Sequence, residues 1–129
     1  MPFVYSDAAD LEGKDLVGNG QCVVLVQTYT KAPRAANWKQ GVSARGNLLL
    51  AKGTAIATFA DGVYKNRPHG NHAALYLSQD QGGIWVIDQW KNDDPDHKVT
   101  RHYLRFQGTD KNGGWVDTSN NGDAFSVIE

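Results

Sequence analysis

The rhythm of apolar and polar positions changes near residue 50. Before it, the one sustained apolar run is Cys22-Val23-Val24-Leu25-Val26. Cys22, Leu25, Val26 and Tyr29 fall on one face at helical spacing, although the β-branched valines at 23, 24 and 26 would also suit a buried strand. The run continues through Gln27-Thr28-Tyr29-Thr30-Lys31 without a break before Pro33, so the length predicts a helix over residues 22–30. Residues 1–20 read as mostly irregular, interrupted by Gly13, Gly18 and Gly20. Residues 33–47 read as a loop or short helix around Trp38, with a turn at Arg45-Gly46-Asn47.

From residue 54 onward the pattern is that of strands. Thr54 to Phe59 lies between Gly53 and Asp61-Gly62; His72 to Leu77 is a second strand. Ser78 to Gly83 has turn composition, and Ile84 to Trp90 is a third strand. A polar loop, Asn92 to Asp96, leads to a fourth strand from Lys98 to Phe106 and a short closing one from Asp123 to Ile128. Strands joined by short turns pair antiparallel. The expected fold class is α+β, with one helix near the N-terminus packed on an antiparallel sheet of about five to six strands.

At 129 residues the chain has the length of one domain, spanning 1–129, and can bury roughly two-thirds of its unfolded surface. The net charge of −1 provides no general basic field, so no nucleic-acid partner is expected. No apolar run nears the ~20 residues of a membrane span, so no membrane insertion is expected. Met1 to Asp7 lacks a basic start and a long apolar stretch, so a secretory leader is not expected either, and synthesis would be cytoplasmic. With a single cysteine, no internal disulfide can form.

That cysteine is where chemistry enters. Gly18-Asn19-Gly20-Gln21 hands a flexible loop to the helix that Cys22 opens, a place where a helix N-terminus favours thiolate over thiol. The hairpin from 72 to 90 supplies a base. Its turn centres near residue 80 or 81, which puts Asp88 opposite residue 72, 73 or 74. With an even register His72 and Asp88 share a face, roughly 5 to 8 Å apart at Cβ, within reach of an imidazole–carboxylate hydrogen bond. Histidine heading an apolar strand and aspartate lying inside the apolar run of the next both break the local pattern, and paired violations of this kind mark function.

Gly20-Gln21-Cys22 opening a helix, Gly53-Thr54 leading a strand, Gly70-Asn71-His72-Ala73-Ala74-Leu75-Tyr76-Leu77 and Val86-Ile87-Asp88-Gln89-Trp90 together resemble the CHAP and NlpC-type cysteine peptidases. The closest likeness is to small single-domain amidase effectors delivered by type VI secretion, over roughly residues 16 to 106. The resemblance implies a papain-like fold and a peptidoglycan amidase, a cysteine endopeptidase cutting an amide in the peptide stem or crosslink of the bacterial wall. It implies Cys22 as nucleophile, His72 as general base and Asp88 as the residue orienting it. The chain departs from the CHAP pattern at Val24, where tryptophan is usual, and at Asp88, where glutamate is common. Gln89 is the alternative orienting residue, and strand parity favours Asp88. Gln21 or Asn19 could add an oxyanion donor to the Cys22 N–H. Gln21, Asn71, His69 and Trp90 are the expected substrate-binding residues, with Tyr64 and Trp38 as further candidates for cleft walls; Trp85 and Trp115 suit core or surface packing equally well. No cofactor is expected. Delivery by an injection apparatus to the periplasm of a target bacterium, and a cognate immunity protein blocking the cleft, follow from the same resemblance.

Three other readings compete. His69 and His72 with Cys22 and Asp88 could make a zinc site, but no helix aligns the two histidines, and no metal is expected. The chain could be a noncatalytic binding or inhibitor module with a structural Cys22. The same three residues could also serve an acyltransferase or deamidase acting on another substrate.

Overall fold

The apolar run beginning at Cys22 forms the one α-helix, α1 (Cys22–Thr30), in the computed structural model, which describes residues 1–129 throughout. Lys31 closes it in the left-handed conformation (φ 64°), its N–H bonding the carbonyl of Gln27. Leu25, Val26 and Thr30 are the buried helix positions, and Tyr29 packs its ring 5.0 Å from that of Tyr5.

Six strands form one antiparallel sheet: β1 (Gln40–Ser43), β2 (Ala55–Thr58), β3 (Ala73–Gln79), β4 (Gly83–Asp88), β5 (Thr100–Arg105) and β6 (Phe125–Ile128). Their spatial order is β1-β6-β2-β3-β4-β5. The expected α+β arrangement of one helix on an antiparallel sheet is the observed one. Both faces are covered. Alternate residues of the central strands, Ala55, Ala57, Ala73 and Leu75, join Leu25, Val26 and Trp38 in one core. Their neighbours Ile56, Ala74, Tyr76 and Val86 join Phe125 and Leu104 in a second core on the other face.

Three features differ from the sequence reading. Gln40–Ser43 is a strand, not part of a loop; its residues are mostly exposed and carry no apolar alternation, so periodicity could not register it. The closing strand β6 enters between β1 and β2, a long-range pairing that sequence neighbourhood does not suggest. Trp38, expected as a possible cleft wall, is only 2% exposed, donates its indole N–H to the carbonyl of Pro33 (2.8 Å) and belongs to the first core.

The hairpin of β3 and β4 has the even register that the site requires. Leu75 lies opposite Ile87 and Tyr76 opposite Val86 before a bulge between Tyr76 and Ser78 shifts the pairing. Continuing the first register sets Asp88 opposite Ala74, one diagonal step from His72. The turn is tighter than composition suggests: β3 runs to Gln79, leaving Asp80 to Gly82, whose chain is held by N–H bonds from Gly82 and Gly83 to the Asp80 carboxylate.

Candidate active site

Cys22 is the first residue of α1, and the loop before it is shaped by two glycines. Gly18 (φ 57°) and Gly20 (φ 85°) take left-handed conformations, and a Cβ on Gly18 would stand 2.6 Å from Val24 Cγ1. The loop is anchored from the sheet by Gln89, which is fully buried. Its Oε1 accepts the Val17 N–H (2.8 Å), and its Nε2 donates to the carbonyls of Val17 (3.1 Å) and Gln21 (2.8 Å). Asn19 Oδ1 accepts the Gln21 N–H (3.0 Å). Gln89 is thus engaged with the nucleophile loop, leaving Asp88 to meet the histidine.

His72 is fixed by backbone first. Its N–H donates to Thr58 Oγ1 (3.0 Å), and its carbonyl accepts the Thr58 N–H (3.0 Å). Its ring, edge-on to Phe125, sets Nε2 2.8 Å from Asp88 Oδ2. The other ring nitrogen, Nδ1, is left for Cys22, which lines the same cavity.

Asp88 ends β4 with no exposed surface and receives three donors. Thr100, directly opposite on β5, donates its hydroxyl to Oδ1 (2.5 Å). His102, two residues along the same strand, sets Nδ1 2.8 Å from Oδ2. An ionised carboxylate is acceptor-only, so both histidines carry a proton on the nitrogen that faces it.

These contacts determine the charges. Burial opposes ionisation of Asp88, but the bonds from His102, His72 and Thr100 outweigh it and hold the carboxyl down at about 2. Burial also disfavours the His72 imidazolium, but the bonds to Asp88 and Cys22 push the group up to about 9. Burial raises the Cys22 thiol too; His72, Tyr64 and the Ala73 N–H reverse this and leave it below its ordinary value. Both shifts run toward a thiolate–imidazolium pair and away from a thiol with a neutral imidazole.

Tyr64 is the second contact of the sulfur, its hydroxyl 3.7 Å from Cys22 Sγ. A tight turn at Asp61-Gly62 brings it there, and its ring packs 5.0 Å from that of Trp38. Asn71 Nδ2 donates to the same hydroxyl (3.4 Å), so the phenol proton is directed at the sulfur. Burial first, then the neighbouring thiolate, keeps Tyr64 protonated to high pH.

Two cavities meet at this cluster. One, about 290 Å³, is lined by Cys22 and Gln21 with Asn71, His72, Trp90 and the rim residues Arg67 and Lys91. The other, about 280 Å³, shares Asn71, His72 and Trp90 and is closed by His102, Ser119 and Asn120. Trp90 lies between His97 (4.5 Å between ring centroids) and His102 (5.6 Å). Of the residues expected to meet substrate, Gln21, Asn71 and Trp90 line the cleft, whereas His69 is exposed on the loop and lines neither cavity. His102 and Thr100 escaped the sequence reading. Their signal was present: a loop centred on residue 94 pairs Asp88 with Thr100 and brings His102 onto the same face.

A thiol at a helix start, an imidazole on the wall of the same cavity and a buried carboxylate behind that imidazole, all on an α+β sheet, define the class of thiol-bearing proteins equipped for acyl transfer. Within that class the comparisons are specific. The family model of domesticated amidase effector 2 matches residues 3–128. The chain is 44% identical to the type VI secretion amidase effector 2 protein of Salmonella typhi over the full length of both. It is 33% identical to domesticated amidase effector 2 of Ixodes scapularis, covering 96% of this chain and 82% of that one. A solved structure of type 6 secretion amidase effector 2 superposes with a TM-score of 0.89 at 42% identity, covering 98% of this chain and 94% of the other. The chain belongs to the domesticated amidase effector 2 family.

Proposed function

We propose that this protein is a peptidoglycan amidase, a cysteine endopeptidase of papain-like kind whose single catalytic domain comprises residues 1–129, and that Cys22, His72 and Asp88 are its triad. The observation that carries this is the His72 imidazole, bonded to the buried Asp88 carboxylate (2.8 Å) and lining one cavity with the Cys22 thiol. Names shared by relatives at 44% and 33% identity, amidase effectors in both cases, support the reaction class.

In the resting site the proton sits on His72 and the thiolate on Cys22. The sulfur attacks the carbonyl carbon of an amide in the stem or crosslink. The Cys22 N–H, with the Gln21 side chain on the cleft wall, stabilises the oxyanion. His72 passes its proton to the departing amine, which leaves a thioester. Water then gives a proton to His72 as its oxygen attacks the thioester, releasing the carboxylic acid and restoring thiolate and imidazolium. Asp88 keeps the imidazole in its working orientation throughout. Secretion into a target bacterium, action in its periplasm and a cognate immunity protein that covers the cleft complete the reading; the type VI names of the relatives support it.

Digestion of purified peptidoglycan followed by mass analysis of the fragments tests this directly. The wild-type protein should release peptide fragments with one new amine and one new carboxylate per cut, and Cys22→Ala should release none while still unfolding in one cooperative transition. Retained digestion by Cys22→Ala overturns the assignment.

A further inference from the structure

The cleft is charged unlike the chain that forms it. The protein has 13 lysines and arginines against 14 aspartates and glutamates. Around Cys22 the balance disappears. The cavity beside the thiol is lined by both Arg67 and Lys91. A third, smaller cavity of about 90 Å³ shares Arg67 and Asn71 with it and adds Lys65. No aspartate or glutamate lines any of these three cavities. The one carboxylate at the centre, Asp88, is buried and engaged with two histidines and a threonine. None of Lys65, Arg67 and Lys91 forms an ion pair within the protein.

Placement as well as charge distinguishes Arg67 and Lys91. Lys91 follows the last turn of chain after β4, and its backbone is seated against the loop that presents Cys22: a Cβ on Gly20 would lie 3.7 Å from Lys91 Cβ and 3.9 Å from its Cα. Arg67 lies on the β2–β3 loop, which also carries Tyr64 and Asn71 to the thiol. The two cations therefore reach the cavity of Cys22 from separate elements. Asp15 and Asp94 lie beyond Lys91, in a depression on its outer side, and Asp15 is paired with Lys98 (2.6 Å).

Resting on the amidase reading, the geometry points to a carboxylate-binding function for this rim: the substrate is an anionic peptide, with a free carboxylate near the scissile amide held by Arg67 and a further one reached by Lys91. A guanidinium fork matches a carboxylate through two parallel N–H bonds, whereas an ammonium acts as a point charge with no directional demand. Unpaired cations lining one cleft also raise the local concentration of anions, and more so at low ionic strength.

The test uses one crosslinked stem peptide in two forms, with its free carboxylates intact and with them converted to carboxamides. Wild-type protein should cut the carboxylate form with a KM about tenfold lower, the value of one charge-assisted hydrogen bond. Arg67→Gln and Lys91→Gln should each shrink that preference, and the double variant should bring it below about twofold, with the loss in KM rather than in kcat. Equal KM values for the two peptides on wild-type protein, or an undiminished preference in the double variant, would overturn the inference. Binding of both peptides to Cys22→Ala by calorimetry separates the two ideas. A carboxylate preference in binding without any cleavage by the wild type sinks the amidase reading and keeps the rim; cleavage without preference does the reverse.

Discussion

At the scale of single residues the least expected partner is His102. It shares one oxygen of Asp88 with His72, each nitrogen 2.8 Å from Oδ2, so the carboxylate is held by two imidazoles and a hydroxyl at once. A buried carboxylate with so many donors stays ionised and cannot swing, which keeps the His72 ring aimed at the thiol. His102 acts through Asp88 and is a positioning residue. The prediction separates its hydrogen bond from its bulk. His102→Asn places an amide N–H where Nδ1–H stood and should keep kcat within about threefold. His102→Ala leaves the bond unmade and should lower kcat about 10- to 100-fold with KM little changed, as expected for one bond to a charged group. Equal losses in the two variants would assign His102 to packing alone. Alkylation of Cys22 offers a second readout at the same scale. The rate should remain high well below pH 8, because the thiol is held below its ordinary value, and should weaken in Tyr64→Phe, which removes the phenol proton aimed at the sulfur.

At the scale of elements the site is a junction of a loop, a helix start and three strands, and Gln89 is the fastener. Its three hydrogen bonds connect the end of β4 to Val17 and Gln21, on either side of the two left-handed glycines. Gln89→Leu leaves the half-buried Val17 N–H without its partner and removes one of two bonds to each of the Val17 and Gln21 carbonyls, at a cost of about 1 to 3 kcal/mol. Urea unfolding should read this as a lower midpoint at unchanged slope, and the alkylation rate of Cys22 should fall with it; an unaltered midpoint would mean that the loop is held by its own turns. The same junction explains what the sequence did and did not disclose. The helix was legible because Leu25, Val26 and Thr30 pack at its own period, and the β3–β4 hairpin because its turn centre could be counted. The Asp88–His72 contact followed from that count, since strand faces alternate strictly until the bulge beyond Tyr76. His102 was equally countable from the loop at 92–96 but lay on a strand that showed no chemistry of its own. β1 and the insertion of β6 beside it were not countable at all. Polar Gln40 has no apolar partner pattern to follow, and its pairing with Ile128 joins residues 88 positions apart in sequence. Trp38 was misjudged because an aromatic near a loop carries no sign of which side it packs on; here the ring supports Tyr64 from behind, inside the core.

At the scale of the whole molecule the buried charges tie stability to pH in a way that reports on the site. Asp88 is depressed from its ordinary 3.8 to about 2, so its contribution is complete above about pH 4 and is lost as pH falls through 2. His72 is raised from 6.5 to about 9, so its contribution is complete below pH 6.5 and is lost as pH rises through 9. Cys22 is lowered from 9.0, so its contribution has the opposite slope, gaining with pH up to 9. Between 6.5 and 9 the two slopes oppose each other, because stability from His72 is lost and stability from Cys22 is gained as pH rises. Stability should therefore fall less from pH 6.5 to 9 than His72 alone would make it, and decline below pH 4 as Asp88 is titrated. Urea midpoints measured from pH 2 to 10 check this. Asp88→Asn should lose about 3 to 5 kcal/mol at pH 7, since it removes one charge of a buried network and leaves the others unmatched, and the part of the acid decline below pH 4 that belongs to this carboxylate should vanish with it. A wild-type midpoint that falls from pH 6.5 to 9 as steeply as His72 alone would make it would mean that His72 carries its proton without a thiolate beside it, and the resting state from which the proposed attack begins would be wrong.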